Sequence, residues 1–270
     1  MSQPDNQPID IHRLAARMRD LGTWMEAQEG LVTDREACTA PPLGEVTFSF
    51  DAREDPPAAS LNHNRVCLCG TAGGLTREGF DEFPARFARR GIKHFFAWLS
   101  PGPDIEQLRE WLGEAGYKRV PWTRYPTMRL TVQAEPARAH AFDIRAVDAE
   151  SFASARSALG ETPFEGFERT LGKPGFHHFA AFDGERPVAT AALVQFEDIG
   201  YLTYACTPEK DQNRGAQSAL IAHRVALAKS LGCEHIMSQT LTMLERSLAN
   251  LQRAGFREIY EQEVYEFGAA

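Results

Sequence analysis

The sequence has few of the features that mark exported, membrane-spanning or zinc-binding proteins. Its five cysteines are an odd number, and none of them belongs to a set of cysteines and histidines at zinc-site spacing. No apolar run reaches the roughly 18 residues that a membrane-spanning helix needs, and Met1–Asp10 lacks the basic and apolar regions of an export signal. We therefore expect a cytoplasmic protein with reduced cysteines, no bound metal and no membrane contact.

The chain also lacks an excess of basic residues. It carries 29 lysines and arginines against 37 aspartates and glutamates, which gives a net charge of −8 at pH 7. Nucleic acids and anionic membranes attract basic surfaces, so this charge argues against both as partners. An acidic surface is compatible with a cationic substrate such as an amine, although solubility alone explains it equally well.

Length and composition indicate a folded protein of one large or two small domains. The 270 residues are 43% hydrophobic and 10% aromatic, as in globular chains rather than disordered ones. Residues 131–141 have no hydrophobic periodicity and are rich in alanine and polar residues, which is typical of a linker. The sequence therefore predicts a first domain over residues 1–130, a linker over 131–141 and a second domain over 142–270.

Helical and strand-like patterns alternate on both sides of this linker. Apolar residues three and four positions apart predict helices over 9–22, 79–90, 104–115, 150–159, 216–231 and 245–254. Short apolar or alternating runs predict strands at 46–50, 65–69, 94–99, just before 130, and at 142–147, 178–182, 188–196, 200–206, 234–240 and 258–267. Helices and strands mixed in this order predict a layered α+β or α/β fold.

A short helix followed by glycine, an aromatic residue and a strand occurs in both halves of the chain. Asp104–Tyr117 and Leu244–Phe256 share this pattern, and a strand precedes each of them. The pattern favours a weak internal duplication, although two unrelated junctions of this common kind explain it as well.

The most informative segment is Tyr201–Ile221, in which a strand leads through a polar loop to a glycine at the start of a helix. The first N–H groups of a helix have no partner within it, and the helix dipole adds partial positive charge there. Gly215 permits a ligand to approach the backbone closely, and Arg214 adds a cation. The segment therefore predicts a diphosphate site, and the alternative is a tight loop with a solvated arginine.

The loop Gln212–Gln217 (QNRGAQ) resembles the acetyl-CoA loop of the GNAT superfamily of N-acyltransferases, whose pattern is Gln/Arg-x-x-Gly-x-Gly/Ala. The resemblance extends over about residues 142–267. It implies an α+β fold with tandem GNAT-like domains, each built on a mixed, mostly antiparallel sheet flanked by helices. Residues 62–130 resemble the degenerate first domain of bacterial two-domain members, because they repeat the element order without a phosphate loop.

Three positions depart from the family pattern. Gln217 stands in place of a glycine or alanine, which is expected to put a side chain next to the phosphates. Leu251 stands where a proton-donating tyrosine is frequent, and the region of Leu244 replaces a frequent asparagine.

The resemblance implies acetyl-CoA as the cosubstrate and no metal. Backbone N–H groups at the start of the helix then hold the diphosphate, and the pantetheine arm pairs along the preceding strand as an extra strand. A backbone N–H of that strand stabilises the oxyanion. The implied cofactor-binding residues are Thr203, Ala205, Cys206, Thr207, Gln212, Arg214, Gly215, Ala216, Gln217, Ser218 and Asn250.

Two proton transfers accompany direct attack of an amine on the thioester. An amine with a pKa of about 10 is protonated at neutral pH, so a group must accept its proton. Tyr201 stands where family members often carry a glutamate, and we expect it to orient a water through which Glu197 or Asp198 accepts the proton. Ser247 or Tyr204 is expected to return a proton to the CoA thiolate. Glu197 and Asp198 equally suit a solvated turn, and Ser247 an ordinary position at a helix start.

These features predict an acetyl-CoA-dependent N-acetyltransferase. One alternative is a CoA-binding or sensing module that has lost its chemistry, which Leu251 favours, and another is a structural interaction protein. The expected partners are acetyl-CoA and an unidentified amine, without nucleic acid or membrane. The expected state is a monomer or homodimer.

Overall fold

The structure is a computed structural model, described over residues 10–30, 32, 34–51, 64–69, 74–121, 124–131, 142–159 and 165–268. The chain forms two compact units. The first comprises Met1–Arg124 and Tyr260–Ala270, and the second comprises Tyr125–Ile259. No helix within the described ranges combines the length and the apolar character needed to cross a membrane.

The described residues form eight α-helices and twelve strands, numbered in chain order. The helices are α1 (Ile11–Glu29), α2 (Arg77–Asp81), α3 (Phe83–Ala88), α4 (Ile105–Glu114), α5 (Ala149–Leu159), α6 (Glu165–Arg169), α7 (Ala216–Ser230) and α8 (Glu245–Arg253). The strands are β1 (Asp34–Ala40), β2 (Gly44–Phe50), β3 (Arg65–Cys69), β4 (Phe95–Ser100), β5 (Lys118–Arg119), β6 (Tyr125–Leu130), β7 (Asp143–Ala146), β8 (Phe176–Asp183), β9 (Arg186–Phe196), β10 (Ile199–Cys206), β11 (His235–Gln239) and β12 (Phe256–Phe267).

The first unit has the strand order β1-β2-β3-β4-β12, with β5 also paired to β12. Only β3 and β4 run parallel, and the other pairs are antiparallel. Phenylalanines from the helices and strands fill its core, and the rings of Phe87 and Phe95 stack at 3.9 Å between centroids. The predicted helix over 79–90 is divided at Glu82, because Pro84 has no N–H group to continue the hydrogen bonds and is tolerated only in a first helical turn.

The second unit has the strand order β6-β11-β10-β9-β8-β7. Only β10 and β11 are parallel. The hairpin of β8 and β9 turns at Gly184, whose φ of 61° is the left-handed conformation that glycine adopts without strain. Both units therefore contain a mixed, mostly antiparallel sheet with helices, which confirms the predicted fold class.

Helices cover both faces of the second unit's sheet. One apolar cluster joins the sheet to α7 and α8 through residues such as Leu202, Leu220 and Leu251. The other joins it to α5 and α6 through Phe152 and Phe167. Strand β9 lies between these layers and has eight consecutive buried residues, as expected for a strand covered on both faces.

The division into units differs from the predicted domain boundaries in two places. Tyr125–Leu130 belongs to the second unit, because β6 pairs with β11. Tyr260–Ala270 belongs to the first unit, because the end of β12 pairs with β4 and β5. Local patterns identify strands but not their partners, so the sequence placed both segments by chain order. Of the predicted linker, Thr131 is described and 132–141 lie outside the described residues.

Candidate active site

Strand β10 leaves its parallel neighbour halfway along its length. It pairs with β11 only over Ile199–Leu202, and four further residues continue beside β9 alone. The pairing with β9 is irregular between Thr203 and Cys206, where Tyr204 has a φ of 49°. We call Thr203–Cys206 the fork segment. Strand pairing with β11 ends before the fork segment, which is the kind of place at which an extended ligand can add to a sheet.

The start of α7 follows the fork segment after a short loop. The loop passes through a 3-10 turn, Glu209–Asp211, and Asn213–Gly215 is exposed. Gly215 has a φ of 91°, and within the described residues no side chain caps the helix. The first-turn N–H groups therefore lie at a helix end that carries partial positive charge, and Gly215 has no side chain to cap them, which suits an anion.

The side chain of Gln217 faces the strand ends. Its Nε2 donates to the carbonyl oxygens of Cys206 at 3.0 Å and Thr190 at 3.2 Å, and to Thr207 Oγ1 at 2.9 Å. Gln212 Nε2 donates to the carbonyl oxygen of Thr207 at 3.3 Å. Both amide groups therefore hold the loop and the first turn of α7 against the end of β10. The expectation that Gln217 lies next to the phosphates finds no support in these contacts, since the strand-end carbonyls take up its donor group.

Arg214 lies in a cluster of alternating charges beside the loop. Its guanidinium contacts Asp183 at 2.5 Å and Asp211 at 3.1 Å, and Arg186 makes two further bonds to Asp211 at 2.8 and 2.9 Å. The side chain of Asp211 is 2% exposed, and the hydrogen bond from Arg186 holds its pKa below the ordinary value. Arg214 therefore supports the loop through ion pairs, and the helix amides are the candidate groups for binding an anion.

The other predicted cofactor contacts surround these two features. Thr203, Ala205 and Cys206 lie in the fork segment, and Thr207 follows it directly. Ala205 is exposed, whereas Cys206 is half-buried and packs against the cluster beneath α5 and α6. Ala216 and Ser218 are in the first turn of α7. The structure thus brings the fork segment and the helix start together, with Gln217 joining them.

The three residues expected to take part in removing the amine proton lie at different distances from the fork segment. Glu197 and Asp198 form the turn before β10, and Ile199 is four residues from Thr203, about 13 Å along the strand. Tyr201 lies nearer the fork segment, with its hydroxyl 3.3 Å from Gln239 Oε1. The structure therefore places Tyr201, and not Glu197, close to the place where β10 and β11 separate.

The two predicted proton donors lie on different elements. Tyr204 is in the fork segment and packs against the apolar cluster of α5 and α6. Ser247 is in α8, with its hydroxyl oxygen 3.0 Å from that of Thr240, the residue that follows β11. Leu251 is 5% exposed in the core beneath α7 and α8, which suits packing. Asn250 accepts a hydrogen bond from Arg253 at 2.5 Å on α8.

Four residues near the fork segment were not singled out in the sequence. Gln239 Nε2 donates to Thr127 Oγ1 at 2.8 Å, so these two side chains extend the polar chain that begins at Tyr201. Thr240 contacts Ser247, and Arg224 lies buried beneath the strand pair. The sequence contained two features that could have pointed to them. One is a polar Gln-Thr pair at the end of an apolar strand, and the other is an arginine among the apolar residues of α7.

Three residues elsewhere in the second unit carry groups that bind metals in other proteins. Asp198, Glu234 and His235 each place one such atom within 4.8 Å of the others. They lie where β10 and β11 begin, at the opposite end of the strand pair from the fork segment. They therefore form no part of the candidate site.

Comparisons with known proteins concern the family and the fold of this chain. Residues 141–256 match the Acetyltransferase (GNAT) family. A GCN5-related N-acetyltransferase from Kribbella flavida has a TM-score of 0.64 over 97% of this chain and 96% of that one, at 17% identity. A tandem GNAT protein from the clavulanic acid biosynthesis pathway has a TM-score of 0.60 over 84% and 80%, at 9% identity. A GNAT acetyltransferase from Colwellia psychrerythraea has a TM-score of 0.53 over 93% and 97%, at 11% identity. Comparison with the curated proteins gives no match.

The solved structures share little sequence with this chain, so they show a common fold and no more. The family match is independent of them, and it spans β10, the loop, α7 and α8. Together these findings identify an acetyltransferase (GNAT) family domain at residues 141–256, in a chain whose fold is similar to that of tandem GNAT proteins.

Proposed function

We propose that the second unit transfers an acetyl group from acetyl-CoA to an amine. The observation that carries this proposal is an exposed helix start, without a side-chain cap, at the end of the loop that follows a strand whose pairing with its parallel neighbour has ended. A diphosphate fits the helix start, and an amide-containing arm fits the edge of the fork segment that β11 does not pair with. These are the two parts of CoA that a protein must hold to present a thioester.

Donor binding then depends on backbone groups. The N–H groups of Gly215, Ala216, Gln217 and Ser218 hold the diphosphate, and the fork segment pairs with pantetheine. Arg214 keeps its two carboxylate partners and steadies the loop. A backbone N–H of the fork segment stabilises the negative charge that develops on the thioester oxygen.

Transfer proceeds by direct attack in a ternary complex. The amine loses a proton to water held near Tyr201, whose hydroxyl contacts Gln239. Its nitrogen lone pair forms the bond to the acyl carbon, and the carbon–sulfur bond breaks as the carbonyl reforms. The nitrogen then loses its second proton, which passes through the hydroxyl of Tyr204 or Ser247 to the leaving CoA thiolate, so that the hydroxyl ends protonated. No covalent intermediate with the protein is needed, because the thiolate is already a good leaving group.

A CoA-binding or sensing module is the second candidate. Two observations favour it: Leu251 is buried where a proton donor is frequent in the family, and Glu197 lies about 13 Å or more along β10 from the fork segment. Such a module keeps the diphosphate site and the fork segment but releases no thiol.

The binding part of the proposal is tested by Gly215→Val. The branched side chain occupies the space above the first-turn amides, so the thermal stabilisation that acetyl-CoA gives the wild type should disappear. Gly232→Val is the matched control, because Gly232 follows the same helix with a φ of 78° and has no atom within 4 Å of an added Cβ. Both variants carry similar backbone strain. Retained stabilisation in Gly215→Val contradicts the site.

The catalytic part is tested by release of free thiol from acetyl-CoA with a panel of amines. An acetyltransferase releases thiol only when a suitable amine is present, above a control without amine. Stabilisation by acetyl-CoA without thiol release from any amine supports the sensing module instead.

A further inference from the structure

Arg224 is a buried arginine without an acidic partner among the residues that the structure describes. It lies in the middle of α7 and is 2% exposed. Its Nη1 donates to the carbonyl oxygens of Ala192 at 3.0 Å and Thr203 at 3.2 Å, and its Nε donates to that of Leu220 at 3.1 Å. Within the described part of the chain no carboxylate forms a salt bridge with it. All its hydrogen-bond acceptors are backbone carbonyls.

Such a group is costly to keep in a protein interior. Moving a charge out of water is unfavourable unless an opposite charge compensates for it, and buried arginines are usually paired. Burial lowers the pKa of Arg224 to about 9, so the group still carries its charge at neutral pH. Folding alone does not require a cation among the apolar residues of α7, where a leucine or methionine fills similar space.

The two strand carbonyls that Arg224 holds lie at one particular place. Ala192 and Thr203 face each other across β9 and β10, and they are the last regular pair before the irregularity. Thr203 is also the first residue of β10 beyond its pairing with β11. One guanidinium nitrogen therefore holds both strands where the fork segment begins.

We propose that Arg224 is a positioning residue that holds the fork segment in the shape that receives the acyl end of the donor. This inference rests on the proposed function. Arg224 lies nine residues after Gly215, about 13 Å along the helix, so it acts on the acyl end and not on the diphosphate. Its charge also favours the developing oxyanion, since electrostatic effects are strong where water is excluded.

The first test reads the shape of the fork segment without any ligand. Arg224→Met fills the space but has no donor, and Arg224→Lys keeps a cation that reaches a carbonyl. Hydrogen exchange followed by NMR should show the amides of Ala192 and Thr203–Cys206 exchanging about tenfold faster in Arg224→Met and less so in Arg224→Lys. Lys229→Met, at an exposed position of the same helix, is the control and should exchange as the wild type does. Unchanged exchange in Arg224→Met overturns the proposal.

The second test separates donor binding from transfer. In Arg224→Met we expect kcat to fall by about tenfold or more while the Kd for CoA stays within about threefold, and Arg224→Lys should recover part of kcat. A rise in Kd with unchanged kcat overturns the positioning role. Failure of the proposed function gives a different result. The wild type then shows neither acetyl-CoA binding nor thiol release, and this result does not depend on hydrogen exchange in the Arg224 variants.

Discussion

The two units differ at the start of the helix that follows the first strand of their parallel pair, which is α2 in the first unit and α7 in the second. In the second unit α7 begins at an exposed glycine with no capping side chain within the described residues. In the first unit the turn between β1 and β2 lies on the start of α2. The Thr76 N–H donates to the carbonyl oxygen of Pro42 at 2.8 Å, and the Thr76 hydroxyl caps the Gly79 N–H at 3.1 Å. The chain's own backbone therefore occupies the space that a diphosphate needs.

The parallel strand pairs of the two units also differ, in how much of the strand is paired. In the first unit all five residues of β3, Arg65–Cys69, pair with β4. In the second unit only four of the eight residues of β10 pair with β11. Within the described residues, the first unit thus has no counterpart of the fork segment. Similar topology yields a candidate site only where the helix start is uncovered and the parallel pairing ends early, which supports the proposal that the first half is the degenerate one.

The largest effect is expected from adding a side-chain atom at Gly79, where the start of α2 already lies against the carbonyl group of Pro42. A Cβ at Gly79 would lie 2.1 Å from the carbonyl oxygen of Pro42, so Gly79→Ala must displace backbone and should destabilise the first unit by about 3 kcal/mol. All four tryptophans are in residues 1–124, so unfolding in urea followed by tryptophan fluorescence reports on that unit. The stabilisation by acetyl-CoA, measured on the second unit, should not change.

Gly113→Ala is the control for this comparison. Gly113 is an exposed position of α4 with no atom within 4 Å of an added Cβ, so alanine should stabilise the helix by about 0.5–1 kcal/mol. Loss of the acetyl-CoA response in Gly79→Ala, with the second unit still folded, means that the first unit takes part in donor binding and that the comparison is wrong.

Local sequence patterns predicted much of the fold and the position of the start of α7. The glycine that ends a polar loop before an apolar helix identified the start of α7, because the signal lies within a few residues. The fork segment was not predictable in this way, since it depends on where β11, some 30 residues later, stops pairing. The covered start of α2 depends on Pro42, 34 residues before Thr76. Which strands and turns come together at such sequence separations depends on how the whole unit packs, and the pattern of a single segment does not contain that information.

A smaller effect is expected from the ion pairs that support the open loop of the second unit. Asp211→Asn removes a buried charge that accepts hydrogen bonds from Arg186 and Arg214, and should cost about 2 kcal/mol at pH 7. Both arginines are partly exposed, which keeps the cost moderate. The folded-state pKa of Asp211 lies below its ordinary value, so its contribution is present above about pH 4 and is lost as the pH falls through the folded-state value.

Urea unfolding followed by far-UV circular dichroism at several pH values checks this prediction. The difference in the free energy of unfolding between Asp211→Asn and the wild type should be full at neutral pH. It should shrink below about pH 4, where Asp211 takes up a proton in the unfolded chain but still keeps its charge in the folded protein. A difference that stays constant down to pH 3 means that the charge of Asp211 is not what supports the loop.

The smallest effect is expected at Gln217, the position where the loop departs from the family pattern. Its amide donates to two strand-end carbonyls and one hydroxyl, so Gln217→Ala should cost about 1 kcal/mol, moderated because the half-buried site admits water to the freed carbonyls. The Kd for acetyl-CoA, measured by calorimetry, should stay within about threefold of the wild type, because this side chain holds the helix start from the strand side while backbone amides meet the ligand. A loss of affinity of about tenfold or more, with stability unchanged, means instead that the Gln217 side chain turns toward the phosphates when the donor binds. The side chains around the start of α7 would then rearrange when the ligand binds. In that case the contrast with the start of α2, which the chain's own backbone covers, would hold only for the ligand-free protein.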